Sequence, residues 1–209
     1  CSETLRVIIF RFAFQSMDTT SRAIMKEVLT SFKCHGEEST VWSLFEFTFK
    51  APTSFQLSDR KMMIGRTHLL LLEHKLSPFA ERKREILFDY YSMANVQFRD
   101  EHQDLDKWFE KRYRKDLRKR YRGSKFQSST AGKINGHGGI VKKGLGRTGI
   151  ITRKSSLYNY ATWYCEDLNR IYSVTISEHL ARPFPLKRRL DQTAFEDFCR
   201  EFISNLRCH

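Results

Sequence analysis

The sequence predicts an α+β fold: a single domain, residues 1–209, with an antiparallel or mixed sheet flanked by helices. Three observations predict it. The elements read in the order strand, helix, two strands, two helices, four strands, helix, which is not the strict alternation of a parallel α/β protein. A length of 209 residues with 40% hydrophobic and 13% aromatic content is enough to bury one large core. No internal repeat and no clean linker divides the chain.

Leu5 to Phe14 alternates Arg6, Ile8 and Phe10 with Val7, Ile9 and Arg11 and is rich in β-formers, so a strand is expected. Asp18 to Cys34 follows as a helix, with Ile24, Met25, Val28, Leu29 and Phe32 at helical spacing behind an Asp18-Thr19-Thr20 cap. Val41 to Lys50 places Val41, Ser43, Phe45, Phe47 and Phe49 on one side of a strand, and Arg66 to Glu73 is a second apolar strand. Pro78 opens a predicted helix that carries Ile86, Leu87, Tyr90, Tyr91 and Met93 and ends near Asn95.

Asp104 to Arg122 is a further helix, its narrow stripe made of Leu105, Trp108, Phe109, Tyr113, Leu117 and Tyr121. Seven of the ten glycines lie between Gly132 and Gly149. Gly138-Gly139 is read as opening a strand pair that turns at Gly144, Gly146 and Gly149. Ser156 to Cys165 and Arg170 to Ser177 form a hairpin around Asp167-Leu168-Asn169. A last helix starts at the capping box Thr193-x-x-Glu196 and buries Phe195, Phe198, Phe202, Ile203 and Leu206.

The chain carries 37 Lys and Arg against 24 Asp and Glu, a formal charge of +13. That excess is local. Lys111 to Lys154 holds fifteen basic residues and one acid, Asp116, while the rest of the chain is close to neutral. Charge confined to one segment points to a polyanion-binding face rather than a uniform solubility device. Intrinsic disorder is excluded by the composition. The longest apolar runs, Val7 to Phe10 and Leu69 to Leu72, are far too short for a membrane span. Starting at Cys1 with Arg6 and Arg11 inside the first apolar stretch, the sequence reads as an excised fragment rather than a signal peptide.

Five widely spaced cysteines suit a reducing, intracellular setting, cytoplasmic rather than nuclear. Cys34-His35 and Cys208-His209 are conceivable zinc ligands, but no C-x2-C spacing accompanies them, so no metal site is expected in this chain. Gly144-Leu-Gly146-Arg-Thr-Gly149 satisfies a dinucleotide fingerprint, yet Ile150-Ile151-Thr152 continues as strand where that fold needs a helix. A kinase phosphate flap fails too, since no H-R-D or D-F-G follows. What survives is a glycine-rich hairpin with Lys142, Lys143, Arg147 and Arg153 around it, able to meet phosphate or merely to turn.

Glu73-His-Lys75 at a strand end is an E-x-K arrangement, which in metal-dependent nucleases puts a carboxylate on the metal and an ammonium near the phosphate. Glu81-x-Lys83 repeats the spacing by chance, and Asp59 could supply a second carboxylate. Tyr113, Tyr121, Phe126, Tyr158, Tyr160 and Trp163 could stack on bases, although strand aromatics are more often core, so at most two are expected at a ligand.

Leu72-Glu73-His74-Lys75, a stretch ending Ser92-Met93-Ala94-Asn95, and Gly138-Gly139-x-Val141-x-x-Gly144-Leu145-x-x-x-Gly149-x-Ile151 come in an order that resembles the divergent AlbA-like domain of Schlafen proteins. Ile171 to Ser177, Glu178-His179 and Arg182-Pro183 look like that family's closing strand. The resemblance spans residues 66–205, leaves 1–65 as N-terminal strands and helix, and makes 96–137 a basic helical insertion. It implies a Schlafen-like fold and RNA cleavage by three clustered acids, with a strand and then a helix between Glu73 and Asn95.

Of those three acids this chain keeps Glu73; the others fall on His68 and Arg147. The expectation is therefore an RNA-binding subunit of a Schlafen-like endoribonuclease complex, similar to the nematode assemblies that process piRNA precursors, with other Schlafen-like subunits as partners. Arg112, Arg114, Lys115, Arg118, Lys119, Arg120, Arg122, Lys142, Lys143, Arg147, Arg153 and Lys154 are the expected RNA contacts, and Glu73 and Lys75 the candidate catalytic pair. Mg2+ or Mn2+ would belong to the assembled complex. A stand-alone metal-dependent nuclease, and a basic scaffold or anionic-membrane-binding domain, are the alternatives.

Overall fold

The computed structural model describes residues 9–14, 16, 18–32, 39–98, 104–121, 123–148, 152–183 and 190–208. The chain divides into two compact units, Cys1–Glu38 and Ser39–His209. The first unit holds α1, Thr19–Ser31, whose N-terminus is capped by the Asp18 carboxylate accepting from the Ser21 N–H at 2.7 Å. Residues 9–14 form no strand, and the first half of the expected Leu5 to Phe14 strand lies outside the described residues.

In the second unit, the strand expected over Val41 to Lys50 is two: β1, Ser39–Leu44, and β2, Phe47–Pro52, joined at Phe45, which adopts φ 55°. The remaining strands are β3, Gln56–Met63; β4, Arg66–Ser77; β5, Ala80–Ser92; β6, Ser124–Ile134; β7, His137–Thr148; β8, Thr152–Cys165; and β9, Arg170–Pro183. They build one antiparallel seven-stranded sheet in the order β3-β4-β5-β9-β8-β7-β6. The fold is thus α+β with antiparallel sheets, as expected.

The expected helix behind Pro78 is β5, the correction with the widest consequences. Pro78 and Phe79 make a tight turn between Ser77 and Ala80, and β5 runs back along β4 in unbroken register. Its central Ile86-Leu87-Phe88 is buried on both sides, so apolar residues come consecutively and imitate helical spacing. The strand-then-helix order implied by the Schlafen resemblance is therefore not formed between Glu73 and Asn95.

Alternation along the strands sorts side chains to two faces. On one face Leu69, Leu71, Ile86, Phe88, Val174 and Ile176 pack with β1, β2 and α5, Gln192–Ser204. The cap of α5 is Asp191, which accepts from the Ala194 N–H, rather than the Thr193 of the expected capping box. The other face is covered by α2, Ala94–Phe98; α3, Leu105–Trp108; a π-helical turn, Phe109–Tyr113; and α4, Arg114–Arg120. Phe109, Tyr113, Leu117 and Tyr121 are all buried against the sheet. Side chains four apart drift about 40° per step around a regular helix, and the wider π turn offsets part of that drift.

The expected basic helical insertion of 96–137 is helical only through α4; from Ser124 it becomes β6. The turn back into β7 is Asn135-Gly136, both at positive φ, and not the Gly144 to Gly149 run. Gly144 and Gly146 sit inside β7, where an added Cβ would meet the Lys125 carbonyl at 3.0 Å and the Tyr158 ring at 3.2 Å. The hairpin around Asp167-Leu168-Asn169 forms as expected, and Asn169 clasps the β5 to α2 turn by accepting from Asn95 N–H and donating to the Asn95 carbonyl oxygen of its amide. Edge strands β3 and β6 each carry a bulge, which blunts them against further pairing.

Candidate functional site

The basic segment is less free than its count suggests, because acids from elsewhere in the chain meet it. Lys142 is 5% exposed; it pairs with Asp106 at 2.7 Å and Glu110 at 3.2 Å and lies over the Phe109 ring. Arg114 pairs with Glu110 and covers Phe126. Lys143 donates to Glu196 of α5 at 2.7 Å, Arg112 to the Gln97 amide oxygen at 2.7 Å, and Arg120 faces Glu85 at 3.7 Å. The only acid inside the segment, Asp116, is held by Arg66 at 2.5 Å. Lys142 and Lys143 moreover point to opposite faces of the sheet, toward the π-turn helix and toward α5 respectively.

Lys115, Arg118, Lys119, Arg147 and Lys154 remain exposed, and their side chains form no ion pair or hydrogen bond with any described residue. Spacings of three and four put Lys115, Arg118 and Lys119 on one ridge of α4. Arg122 lies outside the described residues, as does the side chain of Arg153.

Where α4 ends over the sheet, Lys119, Arg120 and Tyr121 form one wall of a cleft of about 560 Å³. Glu81, Lys83 and Glu85 of β5 and Lys154 of β8 line the rest of its charged rim. Its floor is His179, stacked on Tyr121 with ring centroids 5.9 Å apart and edge-on to Tyr158. Ser156 Oγ stands 2.8 Å from His179 Nδ1, and Ser177 Oγ 3.0 Å from Nε2. Among the described residues no carboxylate hydrogen-bonds the imidazole; Glu85 instead accepts from the Tyr121 hydroxyl at 3.0 Å. The Ser156 and His179 pair thus lacks the third member that an activated nucleophile uses, and it serves as a neutral polar floor. Sequence spacing gives no hint of this cluster.

Burial holds His179 below its ordinary value of 6.5, against the opposing pull of Glu85. The folded state therefore resists a proton that the unfolded chain accepts, and stability falls as the pH drops below about 6.5. In urea titrations between about pH 7.5 and about pH 5.5, His179→Gln is expected to remove up to about 1.4 kcal/mol per pH unit of that slope. An unchanged slope would contradict the buried neutral state.

Glu73 and Lys75 lie on the α5 face of the sheet, away from the cleft. Lys75 Nζ is 2.9 Å from Glu73 Oε1, and Arg84 is 4.0 Å from Oε2. Burial pushes the Glu73 carboxyl up, but hydrogen bonds from Lys75 and Ser54 outweigh it and hold the group below the usual carboxylate range. Glu178, the nearest strand acid on that face, is bound by Arg82 and Arg84 at 2.7 and 2.8 Å.

The three positions of the Schlafen acid cluster do not converge. His68 and Glu73 are five residues apart on β4 and so face opposite sides, while Arg147 is on β7, with β5, β9 and β8 between. His68 contacts Asp89 at 3.2 Å and Asp59 at 3.7 Å. Of the suggested stacking aromatics, Tyr113, Tyr121, Tyr158, Tyr160 and Trp163 are core; Phe126 is half-buried.

Among the described residues, the one group of metal-capable side chains is His137, Cys165 and Cys208, at the opposite end of the sheet from the cleft. Burial pushes the Cys208 thiol up to about 11. The expected pairs Cys34-His35 and Cys208-His209 have Cys34, His35 and His209 outside the described residues.

Among the described residues, no helix is long and apolar enough to cross a membrane. No protein-family model and no curated protein matches the chain. Among solved structures it is similar to the Ran-binding protein Mog1p of Saccharomyces cerevisiae, at 11% identity and TM-score 0.48 over 83% of this chain and 96% of that one. It is also similar to cyanobacterial PsbP of Synechocystis sp. PCC 6803, at 9% identity and TM-score 0.44 over 86% and 98% of the two chains. LpqN of Mycobacterium tuberculosis matches at 7% identity and TM-score 0.43, over 83% and 86%.

Proposed function

We propose that this chain binds RNA through the phosphate backbone, using the ridge of Lys115, Arg118 and Lys119 on α4 with Lys154 across the cleft. It would act as a non-catalytic subunit of an endoribonuclease complex, with other Schlafen-like chains supplying the acids and any Mg2+ or Mn2+. The observation that carries the binding reading is that these exposed cations have no acidic partner among the described residues, whereas their neighbours do. The complex, and a role in piRNA-precursor processing, rest on the sequence resemblance alone.

The buried aromatics sharpen the mode of binding. With Tyr113, Tyr121, Tyr158 and Tyr160 committed to the core, the α4 ridge offers cations rather than stacking platforms, so contacts to phosphate dominate and sequence preference is weak. Stand-alone catalysis by Glu73 and Lys75 is disfavoured by the ion pairs that occupy both Glu73 oxygens. Membrane insertion is disfavoured because the apolar side of α4, Leu117 with Tyr113 and Tyr121 beside it, faces the sheet.

Reversing Lys115, Arg118 and Lys119 to Glu is expected to weaken RNA binding by at least about 100-fold and to lower the salt slope by about 2. Filter-binding titrations at several salt concentrations read both, with Lys143→Ala as a near-neutral control. Unchanged affinity would sink the proposal, as would RNA cleavage by the isolated chain with Mn2+ that Glu73→Ala abolishes.

A further inference from the structure

At the far end of the sheet from the cleft, three elements distant in sequence bring soft ligands together. His137 is the first residue of β7, Cys165 the last of β8, and Cys208 follows α5. Their ligand atoms all lie within 4.8 Å of one another, with Cys208 Sγ 3.3 Å from His137 Nε2. Bonds of about 2.3 Å to sulfur and 2.0 Å to nitrogen put the edges of a tetrahedral zinc site at about 3.8 Å between sulfurs and 3.6 Å between sulfur and nitrogen. The three side chains are thus within about 1 Å of that geometry without any change of backbone.

The backbone around them is fixed. Arg207 exchanges two backbone hydrogen bonds with Thr48, at 2.8 and 2.9 Å, which ties the segment before Cys208 to β2. The Asn135 amide sits beside Cys208, its terminal atom 3.1 Å from Sγ, and with the amide turned over it accepts from the Cys208 N–H at 3.0 Å and donates to the Leu206 carbonyl at 3.1 Å. Cys165 and Cys208 are reduced thiols, 0% and 1% exposed, while His137 is half-buried and gives the group its opening to solvent. The buried indole N–H of Trp163 lies beside the Cys208 sulfur and would donate to its thiolate.

We propose that His137, Cys165 and Cys208 bind a borderline-soft divalent cation, Zn2+ by preference, as a Cys2His site with one position left for water. Two thiolates with an imidazole favour such an ion over the oxygen-seeking Mg2+ or Ca2+. Binding would release the two thiol protons and cross-link β7, β8 and the segment after α5, so it would also stabilise the fold.

The test is titration of the reduced full chain with Co2+. One equivalent is expected to bring up a sulfur-to-cobalt charge-transfer band with the intense visible bands of a tetrahedral ion, and Zn2+ to abolish both. Cys208→Ser and the less buried His137→Gln should each lose the charge-transfer band or its tetrahedral intensity, whereas Cys34→Ser and Cys199→Ser keep them. The absence of these bands, or their survival in both Cys208→Ser and His137→Gln, would overturn the site. So would a Cys165–Cys208 disulfide in protein purified under argon.

Discussion

Asp89→Ala is expected to cost about 3–5 kcal/mol of folding stability, a large part of what a single domain has. Asp89 is wholly buried in β5, beneath the π-turn helix, where its carboxylate joins three side chains whose remaining partners are Asp116 for Arg66, Asp59 for His68 and Thr175 for Tyr113. Arg66 reaches Oδ1 from Nε at 3.0 Å and from Nη2 at 2.9 Å, His68 Nδ1 lies 3.2 Å from the same oxygen, and the Tyr113 hydroxyl donates to Oδ2 at 3.1 Å. Removing the carboxylate leaves a half-buried guanidinium with Asp116 as its one acid among the described residues, and an unfilled space beside His68 and the Tyr113 hydroxyl. Asp89→Asn keeps the shape and should lose less, and Tyr113→Phe only about 1 kcal/mol, since one hydrogen-bonded hydroxyl is removed. Urea denaturation of the three variants gives the ranking; an Asp89→Ala cost under about 1 kcal/mol would mean that Asp116 alone suffices to hold Arg66.

Trp108→Ala is the second large effect, also about 3–5 kcal/mol. Trp108 is 0% exposed, stacks on Tyr113 at 5.9 Å and meets Tyr91 edge-on at 5.1 Å. Its indole nitrogen has no hydrogen-bond partner, so Trp108→Phe forfeits packing alone and should cost less than half as much. Because Lys115, Arg118 and Lys119 ride on the helix that Trp108 anchors, the alanine variant should also weaken the RNA binding proposed for that ridge while the sheet persists. Hydrogen exchange would show this as protection lost over 105–121 and retained in β5, β8 and β9. Uniform loss across the sheet would mean that helix and sheet open as one unit.

The two helices with strong caps and one-sided stripes, α1 and α5, were legible, as were β4 and the β8–β9 hairpin with its polar turn. Misreading began where strands are covered on both faces. Ile86-Leu87-Phe88 has no alternation to show, because β5 lies between β4 and β9 with cores above and below. The glycines of β7 resemble a turn in sequence because sequence does not reveal which ring will lie over Gly146, whereas Asn135-Gly136 carries the turn. The basic stretch was legible as a count but not as a surface. Glu85, Asp106, Glu110 and Glu196 neutralise part of it from outside the segment, and only the folded sheet brings them there.

The strand order has a consequence for the chain as it is made. β3, β4 and β5 form one meander and β6, β7, β8 and β9 another, and the two meet only along β5 and β9. During synthesis Phe88 and Tyr90 can meet Phe47 and Phe45 of the earlier β1–β2 hairpin, but the inner backbone edge of β5 must wait unpaired until β9 has emerged. Folding is gated by that final seam, which predicts slow, late assembly and a newborn chain that depends on chaperones until β9 is complete.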